Sequence, residues 1–345
     1  MKVAVLGATG FTGEKLIEIL IKHKFVEINY LTSRVPNPVS YSELFPRFKG
    51  RIFTKCERLD IPKALKKADF FFLALPHTVS MQVVPMLIEA KKKVVDLSAD
   101  YRIEDTSLYN KFYNTLHTDK KNLKKAVYGL PEFFKDKIKR AVLVANPGCY
   151  PTSVILALAP LVKEKVIKRN IVVDAKSSIT GAGRKAVIDY HFSNISGNIW
   201  AYKPFNHQHL PEIIQVIKGV SGLSYNITFV PHVVGIESGI YSTIYISFKK
   251  KATQELINSI YRRYYKNAPF VRILNGFPKL KDVVGTNFCD IGFSLKNDGL
   301  SAVVASCIDN LIKGAAGNAV QNMNIMCGFG EKEALLSVCQ GNKAL

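Results

Sequence analysis

The start of the chain, a strand pattern that runs through a glycine-rich turn into a helix pattern, constrains the fold most. Lys2 to Leu6 is a short apolar run typical of a buried strand, and apolar residues at helical spacing follow from Glu14. Between them lies Gly7–Gly13, with the sequence GATGFTG. In this context the glycines permit a tight turn, let a pyrophosphate approach the backbone and let the helix pack on the strand. The sequence predicts a Rossmann-type dinucleotide-binding domain, in a variant with GxxGxxG spacing, whose helix N-terminus receives the phosphates.

The second strand indicates which dinucleotide binds. Glu27 to Leu31 is followed by Thr32, Ser33 and Arg34, where an NAD-selective site normally has a carboxylate for the ribose 2′-hydroxyl. A hydroxyl and a guanidinium suit a 2′-phosphate instead, so we expect NADP(H).

Two further strand ends are predicted to line the same crevice. The nearly continuous apolar strand Asp69 to Leu75 ends at Pro76, and the strand Lys93 to Leu97 leads to Arg102. Arg102 is a candidate anion contact, with a structural pairing to a nearby aspartate as the alternative. The predicted cofactor contacts in this domain are Gly7, Thr9, Gly10, Phe11, Thr12, Gly13, Ser33, Arg34 and Pro76.

A cysteine in the middle of the chain has the setting of a nucleophile. An apolar run from Ala141 to Ala145 predicts a strand, and a helical pattern runs from Ser153 to Val162. Between them, Asn146–Thr152 has the sequence NPGCYPT, in which Pro and Gly force a tight turn before Cys149. The N–H groups at a helix start favour a thiolate and can hold the oxyanion formed when sulfur attacks a carbonyl. The alternative is a structural cysteine, because unpaired cysteines are often buried.

The pattern of apolar residues changes after this helix. Residues 103–140, before it, are polar and predict irregular structure, whereas strands with rough period-two alternation follow it. These strands predict a second domain of the α+β type, built on a mixed or antiparallel sheet. They are Ile171–Ser178, Tyr225–Pro231, Ile240–Phe248 and Ser301–Ile308.

Two loops of the second half carry candidate functional residues. Ser177–Lys185 combines a glycine turn with two cations and is suited to a phosphate or to the nicotinamide side of a cofactor, unless it is only a flexible loop. In the second loop, His207 and His209 stand just before a helix that Pro211 opens. No third His or Cys is placed to complete a ligand set, so we expect no metal and interpret the histidines as acid–base groups.

Composition restricts the class of protein. Six cysteines without a CxxC pair fit a reducing cytoplasm, and no apolar run approaches the roughly 20 residues that span a bilayer, so we expect a cytoplasmic protein with no membrane partner. The net charge of +21, from 48 basic and 27 acidic residues, comes without a nucleic-acid-binding motif, so we expect no nucleic acid. Anionic substrates, an acidic partner or compositional bias explain the charge as well.

Eight short motifs, in one order and nearly from end to end, resemble the N-acetyl-γ-glutamyl-phosphate reductase family, within the aspartate-semialdehyde dehydrogenase-like group. Besides GATGFTG they are LTSR (Leu31–Arg34), DLSADYR (Asp96–Arg102), YGLPE (Tyr128–Glu132), NPGCYPT (Asn146–Thr152), TGAGR (Thr180–Arg184), HQHLPE (His207–Glu212) and KGAAGNAVQNMN (Lys313–Asn324). The resemblance implies a glyceraldehyde-3-phosphate dehydrogenase-like fold. Residues 1–148 and 313–345 would form the NADP-binding domain, and residues 149–312 the catalytic and dimerisation domain.

The resemblance also implies a reaction. Cys149 attacks the acyl phosphate of N-acetylglutamate, phosphate leaves, and NADPH reduces the resulting thioester to a semialdehyde in arginine biosynthesis. One histidine of the pair His207/His209 acts as acid and base, and the sequence does not rank the two. The implied partners are a small acyl-phosphate substrate, phosphate and further copies of the chain in a homodimer or homotetramer. The remaining implied contacts are Gly181 and Asn322 for the cofactor, and Arg102, Asn146, Arg184 and Glu212 for the substrate.

Three alternatives stay open at this point. Aspartate-semialdehyde dehydrogenase is disfavoured, because the stretch from Phe229 to Ile236 lacks its arginine and acid–base histidine, and Ser177 stands about where it has a glutamine. The aminoadipyl-phosphate reductase of lysine biosynthesis acts on a substrate one methylene longer, a difference of only about 1–3 kcal/mol. A non-catalytic NADP-binding or RNA-binding protein is the third.

Overall fold

The structure is a computed structural model and describes residues 1–184 and 186–336. Lys185, the second cation of the predicted glycine turn, lies outside the described residues, as do Cys339 and the rest of residues 337–345. The chain divides into two compact units, which are Gly148–Gly314 and the combination of Met1–Pro147 with the chain from Ala315.

The first unit is an α/β unit on an eight-stranded sheet in the order β3-β4-β2-β1-β5-β6-β8-β7. All its strand pairs are parallel except β3 with β4. Its strands are β1 (Lys2–Leu6), β2 (Glu27–Thr32), β3 (Val39–Ser40), β4 (Lys55–Glu57), β5 (Phe70–Leu73), β6 (Lys93–Asp96), β7 (Val127–Tyr128) and β8 (Leu143–Ala145). Its helices are α1 (Phe11–Leu20), α2 (Tyr41–Leu44), α3 (Ile61–Lys67), α4 (Ser80–Glu89), α5 (Thr106–Tyr113), α6 (Lys120–Leu123), α7 (Pro131–Arg140) and, after the second unit, α12 (Gly317–Cys327).

The central strands of this sheet are buried on both faces, which explains their unbroken apolar sequences. Every residue of β5 is buried, and Val3 of β1 pairs with Phe70 while Leu6 pairs with Leu73. Helices α1 and α4 add apolar side chains such as Leu16 and Leu87 to the interior. Because parallel strands end at one edge of a sheet, this packing brings the turns after β1, β2 and β5 to the same edge.

The second unit is built on a seven-stranded mixed sheet in the order β10-β11-β9-β12-β15-β14-β13. Its strands are β9 (Asn170–Ser178), β10 (Ile199–Ala201), β11 (Asn226–Val234), β12 (Ile240–Ser247), β13 (Val271–Ile273), β14 (Cys289–Leu295) and β15 (Ser301–Ile308). Its helices are α8 (Cys149–Lys163), α9 (Phe192–Ile195), α10 (Leu210–Ser221) and α11 (Gln254–Tyr265). Helix α8 packs on β12 and β15 and against α10 and α11. The predicted fold class, a Rossmann-type unit joined to a unit with a mixed sheet, is confirmed.

The expectation of irregular structure over residues 103–140 is wrong. The segment contains three helices, α5 to α7, and the short strand β7. Its helices are mostly polar and bury few side chains, only Tyr109 in α5, and this composition led to the expectation of irregular structure. Caps encode the starts of α5 and α6, because the Asp105 carboxylate accepts from the Ser107 and Leu108 amides and the Asp119 carboxylate accepts from the Asn122 amide.

Helix α8 begins four residues before the predicted start. It includes Cys149 and Tyr150, because Pro151 is tolerated in a first helical turn, where its missing N–H is not needed. None of the described helices is both long and apolar enough to cross a membrane.

Candidate active site

The glycine turn after β1 is shaped by close backbone approaches that exclude side chains. Gly7 has φ +88°, and a Cβ there would lie 2.3 Å from the Ala74 carbonyl oxygen. A Cβ on Gly13 would lie 2.3 Å from the Gly7 carbonyl oxygen. These two glycines therefore let the turn pass under the end of β5 and let α1 pack on the turn, as expected for a dinucleotide fold.

Gly10 differs from these two glycines because the space beside it is open. It is the N-cap of α1, no side chain caps the helix, and a Cβ at Gly10 would have only the Gly7 carbonyl oxygen within reach, at 3.7 Å. Thr9, Phe11 and Thr12 are half-buried around this helix start. An uncapped N-terminus with room beside its glycine fits a pyrophosphate. The residues present therefore fit a dinucleotide cofactor.

The end of β2 fits the phosphorylated form of that cofactor. The Gly7 amide donates to the Thr32 hydroxyl oxygen at 3.2 Å, which ties the glycine turn to this strand end. Ser33 is half-buried and Arg34 is exposed, and the chain carries no carboxylate from Thr32 to Ser42. Pro76 is exposed just past the end of β5.

Arg102, a predicted substrate contact, is buried in the first unit. Its Nε donates to the Asn146 carbonyl oxygen at 2.7 Å and a terminal nitrogen donates to the Leu97 carbonyl oxygen at 2.6 Å. The guanidinium therefore holds the residue that opens the NPGCYPT turn. A contact with substrate stays a prediction for Arg102.

The loop that contains Arg102 is fixed by a buried carboxylate. Asp100 accepts from the Thr78 amide at 2.7 Å and the Met81 amide at 3.0 Å, and from the Tyr109 hydroxyl at 2.7 Å. The Ala99 amide donates to Nδ1 of His77 at 3.0 Å. Burial, with a smaller contribution from Arg102, lowers the pKa of His77 to about 4, so its ring is neutral near pH 7.

An amide cluster in the first unit holds Asn146 and Asn322. Nδ2 of Asn322 donates to Oδ1 of Asn146 at 3.0 Å and to the Gly129 carbonyl oxygen at 2.9 Å. Asn318 donates to the same two oxygens, at 2.9 Å and 2.7 Å. The motifs YGLPE, NPGCYPT and the last helix are thus joined by hydrogen bonds, an arrangement that their sequence separation hides. The cofactor contact of Asn322 and the substrate contact of Asn146 stay predictions.

Cys149 is the first residue of α8, in the second unit. Gly148 is the extended N-cap, and no side chain caps the helix. The Thr152 hydroxyl donates to the Gly148 carbonyl oxygen at 2.9 Å, and the Gly148 amide donates to Oε1 of the buried Glu212 at 2.9 Å. The Cys149 side chain, partly exposed, lies at the positive end of the helix dipole, where a negative charge is favoured.

Gly314 packs directly against the cysteine. A Cβ at Gly314 would lie 2.8 Å from Cβ of Cys149 and 3.2 Å from its Cα, closer than real side chains approach. The absence of a side chain at residue 314 therefore sets the position of the nucleophile.

The two histidines have different surroundings. The His209 amide donates to Nδ1 of His207 at 3.1 Å, and Nε2 of His207 lies 3.2 Å from the Tyr202 hydroxyl. Burial, followed by the charge of Lys203, lowers the pKa of His207 to about 4. His207 is therefore neutral near pH 7, with its proton on Nε2, since Nδ1 accepts from the backbone. The ring of His209 lies 4.9 Å from that of His207, centroid to centroid.

A pocket of about 160 Å³ brings these groups together within the second unit. The sequence predicted Cys149, His207, His209 and Gly181 as site residues, and all four line it. It did not assign a role to the other lining residues, although several of them stand inside the predicted motifs and loops. They are Tyr150, Ser177, Ser178, Ile179, Ala182, Tyr190, Tyr202, Lys203, Gln208 and Val233.

The glycine loop of the second unit is held at its base by Asn310, which the sequence also did not single out. Oδ1 of Asn310 accepts from the Ser178 hydroxyl at 3.0 Å and the Gly239 amide at 2.7 Å, and Nδ2 donates to the Thr180 hydroxyl oxygen at 3.0 Å. Gly181 and Arg184 are exposed beyond this base. Within the described chain, no three His, Cys, Asp or Glu side chains converge as a metal site would require.

Comparisons with known proteins find relatives of this chain. A family profile described as semialdehyde dehydrogenase, NAD binding domain, matches residues 2–141, and one described as semialdehyde dehydrogenase, dimerisation domain, matches residues 149–310. Solved structures share the fold at low identity. Aspartate semialdehyde dehydrogenase II from Vibrio cholerae has a TM-score of 0.71 at 18% identity, over 95% of this chain and 98% of its own. The Candida albicans aspartate semialdehyde dehydrogenase solved with NADP has a TM-score of 0.69 at 17% identity, over 94% and 98%.

Fold and site together define a protein of the semialdehyde dehydrogenase class. N-acetyl-gamma-glutamyl-phosphate reductase from Desulfotalea psychrophila is 44% identical over 97% of this chain and 98% of its own length. The enzyme of the same name from Methanocaldococcus jannaschii is 45% identical over 98% of each. The chain belongs to the N-acetyl-γ-glutamyl-phosphate reductase family.

Proposed function

We propose that the protein reduces N-acetyl-L-glutamyl 5-phosphate to N-acetyl-L-glutamate 5-semialdehyde and phosphate, with NADPH as the reductant and Cys149 as the nucleophile, in arginine biosynthesis. The single observation that carries the proposal is Cys149 at the uncapped start of α8, in one pocket with His207 and His209. Near-full-length identity of 44% to a reductase of that name supports the choice of substrate.

The first half of the reaction forms a thioester. The Cys149 sulfur attacks the acyl carbon, a C–S bond forms, and the C–O bond to phosphate breaks with its electron pair leaving on phosphate. The first-turn N–H groups of α8 are our candidates to stabilise the carbonyl oxyanion of the intermediate. Glu212 acts as a positioning residue in this proposal, because its carboxylate fixes the amide of Gly148 at the helix start.

We assign the acid–base role to His209 and a supporting role to His207. Both nitrogens of His207 are engaged, Nδ1 by the His209 amide and Nε2 by Tyr202, and its pKa of about 4 disfavours the imidazolium form. His209 lines the pocket with Cys149. It takes the thiol proton before attack and returns it to sulfur when the aldehyde leaves.

The cofactor is NADP(H), which when bound supplies the hydride that reduces the thioester to an aldehyde. The turn Gly7–Gly13 at the start of α1 would hold its pyrophosphate, and Ser33 with Arg34 its 2′-phosphate. Cofactor contacts from Pro76, Asn322 and Gly181 belong to the proposal as predictions. So do substrate contacts from Arg102, Asn146, Arg184 and Glu212.

We assign cofactor binding to the first unit, and catalysis and self-association to Gly148–Gly314. The profile described as a dimerisation domain, on residues 149–310, supports a homodimer or a homotetramer. Six scattered cysteines without a CxxC pair fit a cytoplasmic protein.

The test is phosphate-dependent reduction of NADP⁺ with N-acetylglutamate 5-semialdehyde, the reverse reaction. We expect turnover by the wild type that requires phosphate, is much slower with NAD⁺, and falls at least about a thousandfold in Cys149→Ser. Turnover only with the aminoadipate semialdehyde homologue would move the protein to lysine biosynthesis. No turnover with either substrate would refute the proposed reaction.

A further inference from the structure

The pocket around Cys149 is lined by a basic side chain on a residue outside the eight motifs. Lys203 lines the pocket, and among its described lining residues this is the one lysine or arginine. The two arginines that the sequence nominated for the substrate are not among the lining residues. Arg184 and Lys203 are both exposed, but only Lys203 lines the pocket, and the guanidinium of Arg102 donates to two backbone carbonyl oxygens of the first unit.

The backbone at Lys203 is held in an unfavourable conformation. Lys203 has φ +44° and Phe205 has φ +62°, in the left-handed region that residues with side chains rarely adopt. Residues forced into this region cluster at binding and catalytic sites, where the surrounding structure holds them in place.

Hydrogen bonds on both sides of Lys203 maintain this turn. The Tyr202 amide donates to the Pro231 carbonyl oxygen of β11 at 3.0 Å, and the Asn206 amide donates to the Lys203 carbonyl oxygen at 3.2 Å. The Tyr202 hydroxyl lies 3.2 Å from Nε2 of His207. The turn is therefore anchored to the sheet on one side and to the histidine loop on the other, and it presents Lys203 at the pocket.

The charge of Lys203 acts inside the site. It is the second cause, after burial, of the low pKa of His207. A cation beside a neutral imidazole and a nucleophilic sulfur attracts anions into the pocket and stabilises negative charge there.

We infer that Lys203 binds an oxyanion of the substrate in the pocket of Cys149, and so helps to determine which acyl phosphates the protein accepts. The inference rests on the proposed function for the identity of the substrate, which has two candidate oxyanions, the phosphate that leaves and the α-carboxylate. Both are recognised by the same chemistry, a charge-assisted hydrogen bond from an ammonium group.

The experiment compares Lys203→Met, which keeps the chain length and removes the charge, with Lys203→Arg, which keeps the charge. Lys218→Met is the matched control, because Lys218 is exposed on α10 and does not line the pocket. KM is measured in the reverse direction for phosphate at saturating semialdehyde, and for semialdehyde at saturating phosphate.

For Lys203→Met we expect one of these two KM values to rise by about tenfold or more, with a smaller change in kcat. A rise for phosphate identifies the leaving group as the bound oxyanion, and a rise for semialdehyde identifies the α-carboxylate. Lys203→Arg should recover most of the affinity, and Lys218→Met should match the wild type. Both KM values within about twofold of wild type in Lys203→Met would overturn the inference.

A second measurement separates this inference from the proposed reaction. The rate of Cys149 alkylation by iodoacetamide is followed by peptide mass spectrometry, with inorganic phosphate or N-acetylglutamate as the protecting anion. The expected result is protection in the wild type and its loss in Lys203→Met. If this result is found but the wild type shows no turnover, the proposed reaction is refuted and the anion site stands. Normal turnover with equal protection in both proteins would refute the anion site alone.

Discussion

His207 shows how strongly the surroundings of a single residue control its chemistry. Its ring is buried and both nitrogens are engaged, so the folded protein disfavours the charged form. The sequence identifies the histidine pair but cannot rank its members, because burial and the Tyr202 contact depend on residues brought in by the fold. The structure supplies both.

The low pKa of His207 predicts an acid sensitivity of the second unit. The pKa is about 4 in the folded protein and 6.5 ordinarily, so between these values the unfolded chain binds a proton that the folded chain does not. Above pH 6.5 the titration of His207 therefore does not lower the free energy of unfolding, and as the pH drops toward 4 it lowers this free energy progressively. From pH 7 to about 5, the wild type should lose about 2 kcal/mol more free energy of unfolding than His207→Gln.

Urea unfolding followed by fluorescence checks this prediction. The chain has one tryptophan, Trp200, and it lies in β10 of the second unit, so its emission reports on the unit that contains His207. Equal pH dependence of the wild type and His207→Gln would contradict the assignment of a neutral, buried His207.

The position of Cys149 depends on a single neighbouring residue, Gly314. In Gly314→Ala the new methyl group must displace Cys149, because its ideal position lies 2.8 Å from Cβ of the cysteine. We expect kcat to fall by about tenfold or more, since small displacements of a reacting atom are costly. Gly219→Ala in α10 is the control, because nothing lies within 4 Å of a Cβ there. A Gly314→Ala enzyme with wild-type kcat would mean that the cysteine is not held by this contact.

At the scale of elements, the glycine loop after β9 depends on Asn310, two residues past the end of β15. Asn310→Asp keeps the acceptor for Ser178 and Gly239 but replaces the donor that contacts the Thr180 hydroxyl. We expect kcat/KM for phosphate in the reverse reaction to fall by about fivefold or more. The change should be smaller in a Thr180→Val background, which already lacks the contact. If the two substitutions lower kcat/KM additively, Asn310 does not act through its hydrogen bond to Thr180.

Helices and strands could be predicted from the sequence where the pattern of their own apolar side chains follows burial. The strands Lys2–Leu6 and Ser301–Ile308 match the predicted spans, because their apolar residues follow the burial of the sheet. Helices α5 to α7 were missed, because they are polar and bury few side chains. Aspartate caps start α5 and α6, and Pro131 opens α7. The hydrogen-bonded base of the glycine loop was also missed, since Asn310 is 130 residues from Thr180 along the chain.

At the scale of the whole molecule, the change in strand pattern marks two kinds of sheet. Buried runs such as β5 belong to parallel strands, and alternating runs such as β9 belong to the mixed sheet. The net charge of +21 has no comparable structural explanation. Ion pairs such as Arg47 with Glu14 and Lys296 with Asp298 involve surface lysines and arginines, and each pair adds little stability.

The central claim is that the reaction passes through a thioester on Cys149, and trapping this intermediate tests it most directly. The enzyme is mixed with N-acetylglutamate 5-semialdehyde and NADP⁺ without phosphate, so that the thioester forms but cannot be cleaved by phosphate. The account predicts a burst of NADPH in proportion to the enzyme and an N-acetylglutamyl adduct on the peptide that contains Cys149, with neither in Cys149→Ser. NADPH formation without an adduct, or an adduct on another cysteine, would contradict the account.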